Sequence, residues 1–186
     1  TEIGRGAFLR CTGLTSVVIP DSVTEIGDSV FLECTGLTSI TIPSSVTKIC
    51  GYAFLRCTGL TSVVIPDSVT EIGDYAFSGC TGLTSVVIPS SVAKIGKTTF
   101  SGCTGLTSIV VEEGNKVYDS RKNCNAIIET ETNTLVYGCQ STVIPSSVTE
   151  IDEWAFKDCT GLTSIVISSS VTKIGRGAFF RCTGLT

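Results

Sequence analysis

The sequence predicts an α/β repeat protein, a solenoid with a parallel sheet of short strands on one face and short helical turns or second strands elsewhere. The first observation behind this is a period of 23 residues along a chain of 186 residues. A fixed period of this length is typical of repeat architectures. The second observation is that apolar residues occupy columns, meaning equivalent positions in successive repeats. Leu recurs at positions 14, 37, 60, 83, 106, 162 and 185, and Phe at 8, 31, 54, 77, 100, 156 and 179.

The elements of one repeat can be assigned on residues 60–82. Residues 60–65 alternate as a strand with Leu, Val and Ile inward, and Pro66 ends that strand because it has no N–H to donate. Residues 69–72 are predicted to form a second extended piece, followed by a bend at Gly73. Residues 74–77 are predicted to form one helical turn that Asp74 caps. Since no repeat can bury its own apolar residues, stacking should build one continuous apolar spine over residues 1–186.

One repeat, residues 106–138, is ten residues longer than the others. Residues 125–130 and 133–137 are predicted to form a hairpin with its turn at 131–132. Polar residues concentrate before it: Glu112, Glu113, Asn115, Tyr118, Asp119, Arg121, Lys122, Asn123 and Asn125. They suggest a protrusion with an exposed Tyr118 that serves as a recognition element. The alternative is a structural spacer repeat.

The composition argues against several classes of function. The net charge of −4, without a basic cluster, disfavours nucleic acid, and the lack of His removes the commonest general base and metal ligand. We therefore expect no enzyme activity and no cofactor. Apolar runs of about three residues are far shorter than the roughly 20 residues of a membrane-spanning helix, so no membrane insertion is expected. The chain begins and ends in mid-repeat, which suggests a piece of a longer protein.

Ten Cys residues raise the question of disulfides or zinc. Seven of them form a column, at positions 11, 34, 57, 80, 103, 159 and 182. Equivalent residues of stacked strands lie about 4.8 Å apart with parallel side chains, whereas disulfides need converging Cβ atoms about 3.8 Å apart. The column is therefore predicted to be a row of buried thiols. Cys124 and Cys139, on either side of the hairpin, are left as a possible disulfide pair.

Two outward-facing columns of the first strand are the main candidate binding surface. One is Ser16, Ser39, Ser62, Ser85, Ser108, Ser141 and Ser164, and the other is Val18, Thr41, Val64, Val87, Val110, Val143 and Val166. Solenoids commonly bind partners on such a face, although a solvated sheet surface would have the same pattern. The candidate partner-binding residues are Ser62, Val64, Ser85, Val87, Ser108, Val110, Tyr118, Asp119, Arg121 and a partly exposed Trp154.

A charged column precedes the second Ile of each repeat. It comprises Glu25, Lys48, Glu71, Lys94, Glu150 and Lys173. Because the sign alternates between neighbours, stacking brings opposite charges together. The column is interpreted as a device that sets the register of the coils rather than as a binding site.

The motif L-T-S-V-V-I-P-x-S-V-T-x-I-G-x-x-A-F-x-x-C-T-G resembles the BspA-like, or Treponema-type, leucine-rich repeat. The resemblance covers essentially the whole chain and implies a right-handed solenoid. It also implies a bacterial, occasionally protist, surface protein concerned with adhesion to host matrix proteins or to other cells. The expected function is therefore a non-enzymatic module of a cell-surface or extracellular protein that binds a protein or a glycan. The alternatives are a self-assembling protein that stacks through open solenoid ends and an intracellular scaffold.

Overall fold

The chain coils into a right-handed solenoid of about eight turns, seen in a computed structural model that describes residues 1–186. We call one turn of this solenoid a coil. The strands are β1 (Glu2–Ile3), β2 (Glu25–Ile26), β3 (Ser39–Thr41), β4 (Lys48–Ile49), β5 (Ser62–Val64), β6 (Glu71–Ile72), β7 (Ser85–Ile88), β8 (Lys94–Ile95), β9 (Ser108–Val111), β10 (Tyr118–Asp119), β11 (Ala126–Glu129), β12 (Thr134–Gly138), β13 (Glu150–Ile151) and β14 (Lys173–Ile174). The regular sheet is formed by the second extended piece of each repeat, predicted at residues 69–72 of the example repeat. β1, β2, β4, β6 and β8 form this one parallel sheet.

The first strand of each repeat pairs less regularly. β3 pairs with β5 and β7 with β9, both parallel, while Val18 forms an isolated bridge to Thr41. We call this side of the solenoid the strand face. In the parallel pairs of the regular repeats the partners are 23 residues apart, as in Ser62 opposite Ser39. The exception is β12 with β13, after the elongated repeat, where Thr134 lies opposite Glu150. The predicted register is therefore confirmed, but the sheet on the strand face consists of separate pairs.

The α/β assignment is wrong, because the protein is almost entirely β and turn. Its only helix is a three-residue 3₁₀ segment, Arg121–Asn123. Residues 74–77 form tight turns in which Tyr75 has a φ of 57°. Their backbone groups bond to the neighbouring coil, as when Phe54 N donates to Ala76 O at 2.7 Å. Asp74 does not cap a helix, since its Oδ1 accepts from Lys97 N at 2.7 Å. We call residues 74–80 and their equivalents the turn segment.

The Phe column forms the predicted stack in the first half of the chain. The rings of Phe8, Phe31, Phe54, Phe77 and Phe100 follow one another with centroids 5.1–5.8 Å apart. The Leu column is equally buried, with Leu37, Leu60 and Leu83 at 0% exposure. Each side chain covers its equivalent in the next coil, which is how a 23-residue unit too small for its own core becomes stable.

The apolar spine is not continuous, however. The core divides into one cluster of 35 buried residues and another of 12, and the two meet at the elongated repeat. That repeat has no Ala-Phe pair in its turn segment. The ring of Tyr137 lies beside that of Phe100 instead, edge-on, with the ring centroids 5.8 Å apart. Gly138 follows and leaves room for the ring of Phe156. The prediction of one unbroken spine is therefore wrong at this junction.

The predicted hairpin is confirmed as β11 and β12, which pair antiparallel. β12 then pairs parallel with β13, which returns the chain to the solenoid. β10 adds a third antiparallel strand on the other side of β11. No helix of the structure has the length and hydrophobicity that crossing a bilayer requires.

Candidate functional site

The strand face presents a row of apolar side chains to solvent. The exposed fraction is 91% for Val18, 76% for Val64 and 84% for Val166. Val87 and Val110 are also exposed, as are Ser62 and Ser85, whereas Ser108 is half-buried. The residues on either side of Val64 and of Val87 are buried, as the strand period requires. The result is an uncharged stripe of valine and hydroxyl groups along the rod.

Tyr118 is not on a protrusion and is not exposed. Its exposed fraction is 8%, it packs against the main core, and its hydroxyl accepts from Ile95 N at 3.3 Å. Asn115 fixes the preceding loop, because its Nδ2 donates to Pro89 O and Val92 O, both at 2.9 Å. The polar sequence around Tyr118 suggested solvent exposure, but these polar groups bind the neighbouring coil instead. Burial raises the pKa of the Tyr118 hydroxyl.

Asp119 and Arg121 bind each other. Arg121 Nε donates to Asp119 Oδ1 at 2.8 Å and Nη2 to Oδ2 at 2.6 Å, while Nη1 reaches Asn133 Oδ1 at 2.7 Å. This two-pronged contact raises the pKa of the Arg121 guanidinium and ties the loop to the hairpin. Ser120 Oγ accepts from Val111 N at 2.9 Å, so the loop also abuts the end of β9. A partner that contacts this pair would therefore meet a guanidinium whose N–H groups already donate to Asp119 and Asn133.

Trp154 is partly exposed, as expected, but belongs to the turn segments rather than to the strand face. It meets Phe180 edge-on, with centroids 5.7 Å apart, and Lys157 Nζ lies 5.5 Å from its ring centroid. Tyr52 and Tyr75 occupy the same column and stack at 5.1 Å. The structure therefore separates Trp154 from the Ser and Val columns.

The charged column pairs largely as predicted. Glu71 lies between Lys94 at 2.8 Å and Lys48 at 3.6 Å, and Lys173 pairs with Glu150 at 2.6 Å. The hydrogen bond from Lys94 lowers the pKa of Glu71. A second charged column was not predicted. In this column a Glu33 carboxylate oxygen lies 2.9 Å from Arg10 Nε and the other lies 3.1 Å from Arg56 Nη1. The same spacing of 23 residues could have revealed it.

Five of the seven column thiols are buried as predicted, whereas Cys11 is exposed and Cys159 is half-buried. The buried thiols also form hydrogen bonds that were not predicted. Cys57 Sγ donates to Phe31 O at 3.0 Å, and Cys103 Sγ to Phe77 O at 3.1 Å. Burial raises the pKa of both thiols to about 12. Cys124 and Cys139 are separate free thiols, each buried. No three side chains of His, Cys, Asp or Glu lie close enough to hold a metal ion together.

Comparisons with known proteins place the chain among bacterial repeat proteins. A family model described as the BspA type leucine rich repeat region matches residues 1–128 and 128–186, in six copies. A leucine rich cell surface protein of Faecalibacterium prausnitzii is 37% identical, with a TM-score of 0.86, over 100% of this chain and 50% of that one. A leucine-rich repeat protein of Eubacterium ventriosum is 30% identical, with a TM-score of 0.81, over 97% of this chain and 48% of that one.

The leucine rich repeat protein of Treponema pallidum is 29% identical, with a TM-score of 0.66, over 100% of this chain and 71% of that one. A comparison with curated proteins gave no match. The chain spans about half the length of the Faecalibacterium and Eubacterium proteins. With the family model covering the chain from end to end and the 23-residue coils in register, the chain belongs to the BspA-type leucine-rich repeat family.

Proposed function

We propose that this chain is a non-enzymatic binding module of a bacterial cell-surface or secreted protein, and that it holds a protein partner through the Ser and Val columns of the strand face. The observation that carries the proposal is the row of exposed Val side chains. Single exposed apolar residues are normal, but here they repeat in neighbouring coils and form a contiguous stripe, which is typical of an interaction surface.

The chemistry of the stripe fits a protein better than a small polar ligand. Its centre carries Val64 and Val87 between Ser62 and Ser85, with no charged side chain in either column. The centre of a protein–protein interface is depleted in charge and apolar in the same way. Because each Val side chain stands on a backbone fixed by its neighbours, binding should require little ordering of the surface.

The location rests on the relatives. One similar structure is described as a cell surface protein, and we propose the same location for the protein that contains this chain. Host matrix proteins are the partner class to test first. Self-association of the solenoid is the competing proposal, and it predicts assemblies that grow with concentration.

The test is binding to immobilised fibronectin, laminin and collagen, measured by surface plasmon resonance. The variant carries Val64→Lys and Val87→Lys, which place two charges in the centre of the stripe. The matched control is Leu9→Lys, at an exposed position on a turn segment. We expect the double variant to lose binding by about tenfold or more, the effect of disturbing a buried interface centre, and the control to retain it.

The proposal fails if none of the matrix proteins binds a folded sample, or if the two variants weaken binding equally. Sedimentation velocity over a concentration series separates it from self-association. A monomer at every concentration excludes assembly, whereas growing species that Val64→Lys does not affect would favour it.

A further inference from the structure

A second surface lies on the turn segments, away from the strand face. It is a groove of about 430 Å³ with Ser78, Gly79, Ser101 and Gly102 among the residues that line it. This volume falls in the range of small-molecule sites, which is about 300–1,000 Å³. We call it the glycine groove.

The sequence explains why the groove exists. Gly79 and Gly102 belong to a column whose other members are Arg10, Glu33, Arg56, Asp158 and Arg181. Two glycines in adjacent coils leave a dip in a row of long charged side chains. The elongated repeat lacks the usual turn segment, so the coil of Gly102 contacts the coil of Lys157 directly, and Gly102 N donates to Lys157 O at 3.3 Å. The far wall of the groove therefore consists of Lys157, Asp158, Phe180 and Arg181.

The charge of the lining differs from that of the molecule. The chain has a net charge of −4, but the groove is lined by three basic residues and one acidic one. Arg56 uses one nitrogen for Glu33, at 3.1 Å, and Arg181 contacts Asp158 at 3.8 Å. Lys157 takes part in none of the salt bridges of the chain, and its Nζ lies 5.5 Å from the ring centroid of Trp154. Guanidinium groups with donors to spare are suited to a carboxylate or sulfate group.

The aromatic residues add flat apolar surface. Tyr52 and Tyr75 line one side and Phe180 the other, and Tyr52 is 41% exposed. The backbone of the floor is already paired, because Gly79 N donates to Ser101 O at 2.8 Å and Gly102 N to Lys157 O. A peptide could not extend a sheet here, since that mode of binding requires free backbone groups. A sugar ring needs only side-chain donors and an apolar face.

We propose that the glycine groove binds an oligosaccharide that carries carboxylate or sulfate groups. The basic side chains at the rim contact the acidic groups, and the tyrosine and phenylalanine rings contact the apolar faces of the sugar. This site is independent of the strand face, so the chain offers one surface for protein and another for acidic glycan.

The test is isothermal titration with a hyaluronan octasaccharide, a heparin-derived octasaccharide and neutral maltohexaose. The principal variant is Gly79→Glu. Glu33 holds the same column position with a φ of 58°, so the backbone there accommodates Glu. A Cβ atom at Gly79 would lie 3.2 Å from the flexible Cγ of Arg56 and no closer than 3.7 Å to its backbone. The Glu side chain would fill the groove and place a negative charge in it. We therefore expect affinity for the acidic sugars to fall by about tenfold or more.

A second variant, Lys157→Gln with Arg181→Gln, removes two cations without filling the groove and should weaken binding to a similar extent. The matched control is Lys116→Gln, an exposed lysine outside the groove, and it should bind as the wild type does. Preference for hyaluronan identifies carboxylate recognition, and preference for heparin identifies sulfate recognition.

The proposal is overturned if neither acidic sugar binds, if maltohexaose binds equally well, or if Lys116→Gln weakens binding as much as Gly79→Glu. It is also overturned if an acidic peptide of glutamates binds while the sugars do not. Because Gly79→Glu lies outside the Ser and Val columns, its binding to matrix proteins should be unchanged, which keeps failure at one surface distinct from failure at the other.

Discussion

Substituting Gly59 by Ala should destabilise the solenoid, although the backbone at Gly59 does not have a positive φ. The coils approach each other so closely here that an added Cβ atom would lie 2.5 Å from Thr35 O of the preceding coil. Cβ atoms essentially never come within 3.0 Å of a heavy atom of a residue that is not a chain neighbour. The coils must therefore separate locally by at least about 0.5 Å.

That separation affects a hydrogen bond that is already long. Thr61 N donates to Thr38 O at 3.2 Å, and a further half ångström takes it beyond useful length. Loss of one such bond contributes about 0.5–1.5 kcal/mol, and crowding a packed site typically costs about 1–3 kcal/mol. Since the two effects share one displacement, we expect the free energy of unfolding to fall by about 1–3 kcal/mol in total.

Gly13→Ala is the matched control. Gly13 has the same Cys-Thr-Gly sequence, but nothing lies within 4 Å of an added Cβ atom. Ala there restricts the unfolded chain and should be neutral or stabilising by up to about 1 kcal/mol. Urea unfolding followed by circular dichroism measures both variants, and amide hydrogen exchange locates the loss at the coils around Gly59. If Gly59→Ala unfolds at the same urea concentration as wild type, the close approach of the coils is not what requires glycine.

Three further predictions concern other parts of the structure. Tyr137→Phe should destabilise by about 1–3 kcal/mol, because it leaves the Thr99 N–H, which donates to the Tyr137 hydroxyl at 3.2 Å, without its partner. Chemical unfolding should show almost no change for the exposed Tyr52→Phe, and equal effects would contradict this assignment. Glu71→Gln should remove at most about 1 kcal/mol at neutral pH, since exposed pairs are screened. The pKa of Glu71 is lowered in the folded state, so the stabilisation is fully present above its ordinary pKa of 4.5 and is lost as the pH falls through the lower pKa of the folded state. A salt-independent difference in urea unfolding would argue against an ion pair. Ellman's reagent should modify one thiol rapidly, the exposed Cys11. The eight buried thiols should react only on unfolding, and the half-buried Cys159 should react slowly because burial raises its pKa to about 12. A fast phase that persists in Cys11→Ser would refute this.

Parts of the fold could be predicted because they depend only on the period. A residue and its equivalent 23 positions later must lie in adjacent coils, so the stacked Phe rings and the pairing of Glu71 with its lysines follow directly. The hairpin could be predicted from local alternation and turn residues. The outward Ser and Val columns follow from the same alternation, which is why the candidate surface could be named by residue.

The failures share one cause, which is contact between segments that the local sequence does not report. Residues 74–77 have the composition of a helical turn, but four residues make a poor helix alone, and cross-coil bonds such as that from Phe54 N to Ala76 O satisfy the backbone instead. Tyr118 lies among polar residues, so its burial against the main core was not evident. The glycine groove likewise depends on the coil of Lys157 meeting that of Gly102 across the elongated repeat.

The amino-acid sequence by itself determined that this protein is a rod of stacked 23-residue coils and which columns face inward and outward, because a period and an alternation are properties of order along the chain. Only the tertiary structure decided which outward groups are free and which are engaged, where the core is interrupted, and where two distant coils enclose a groove. Those properties depend on distances between atoms far apart in sequence, and the ten extra residues of one repeat change them without changing the period on either side.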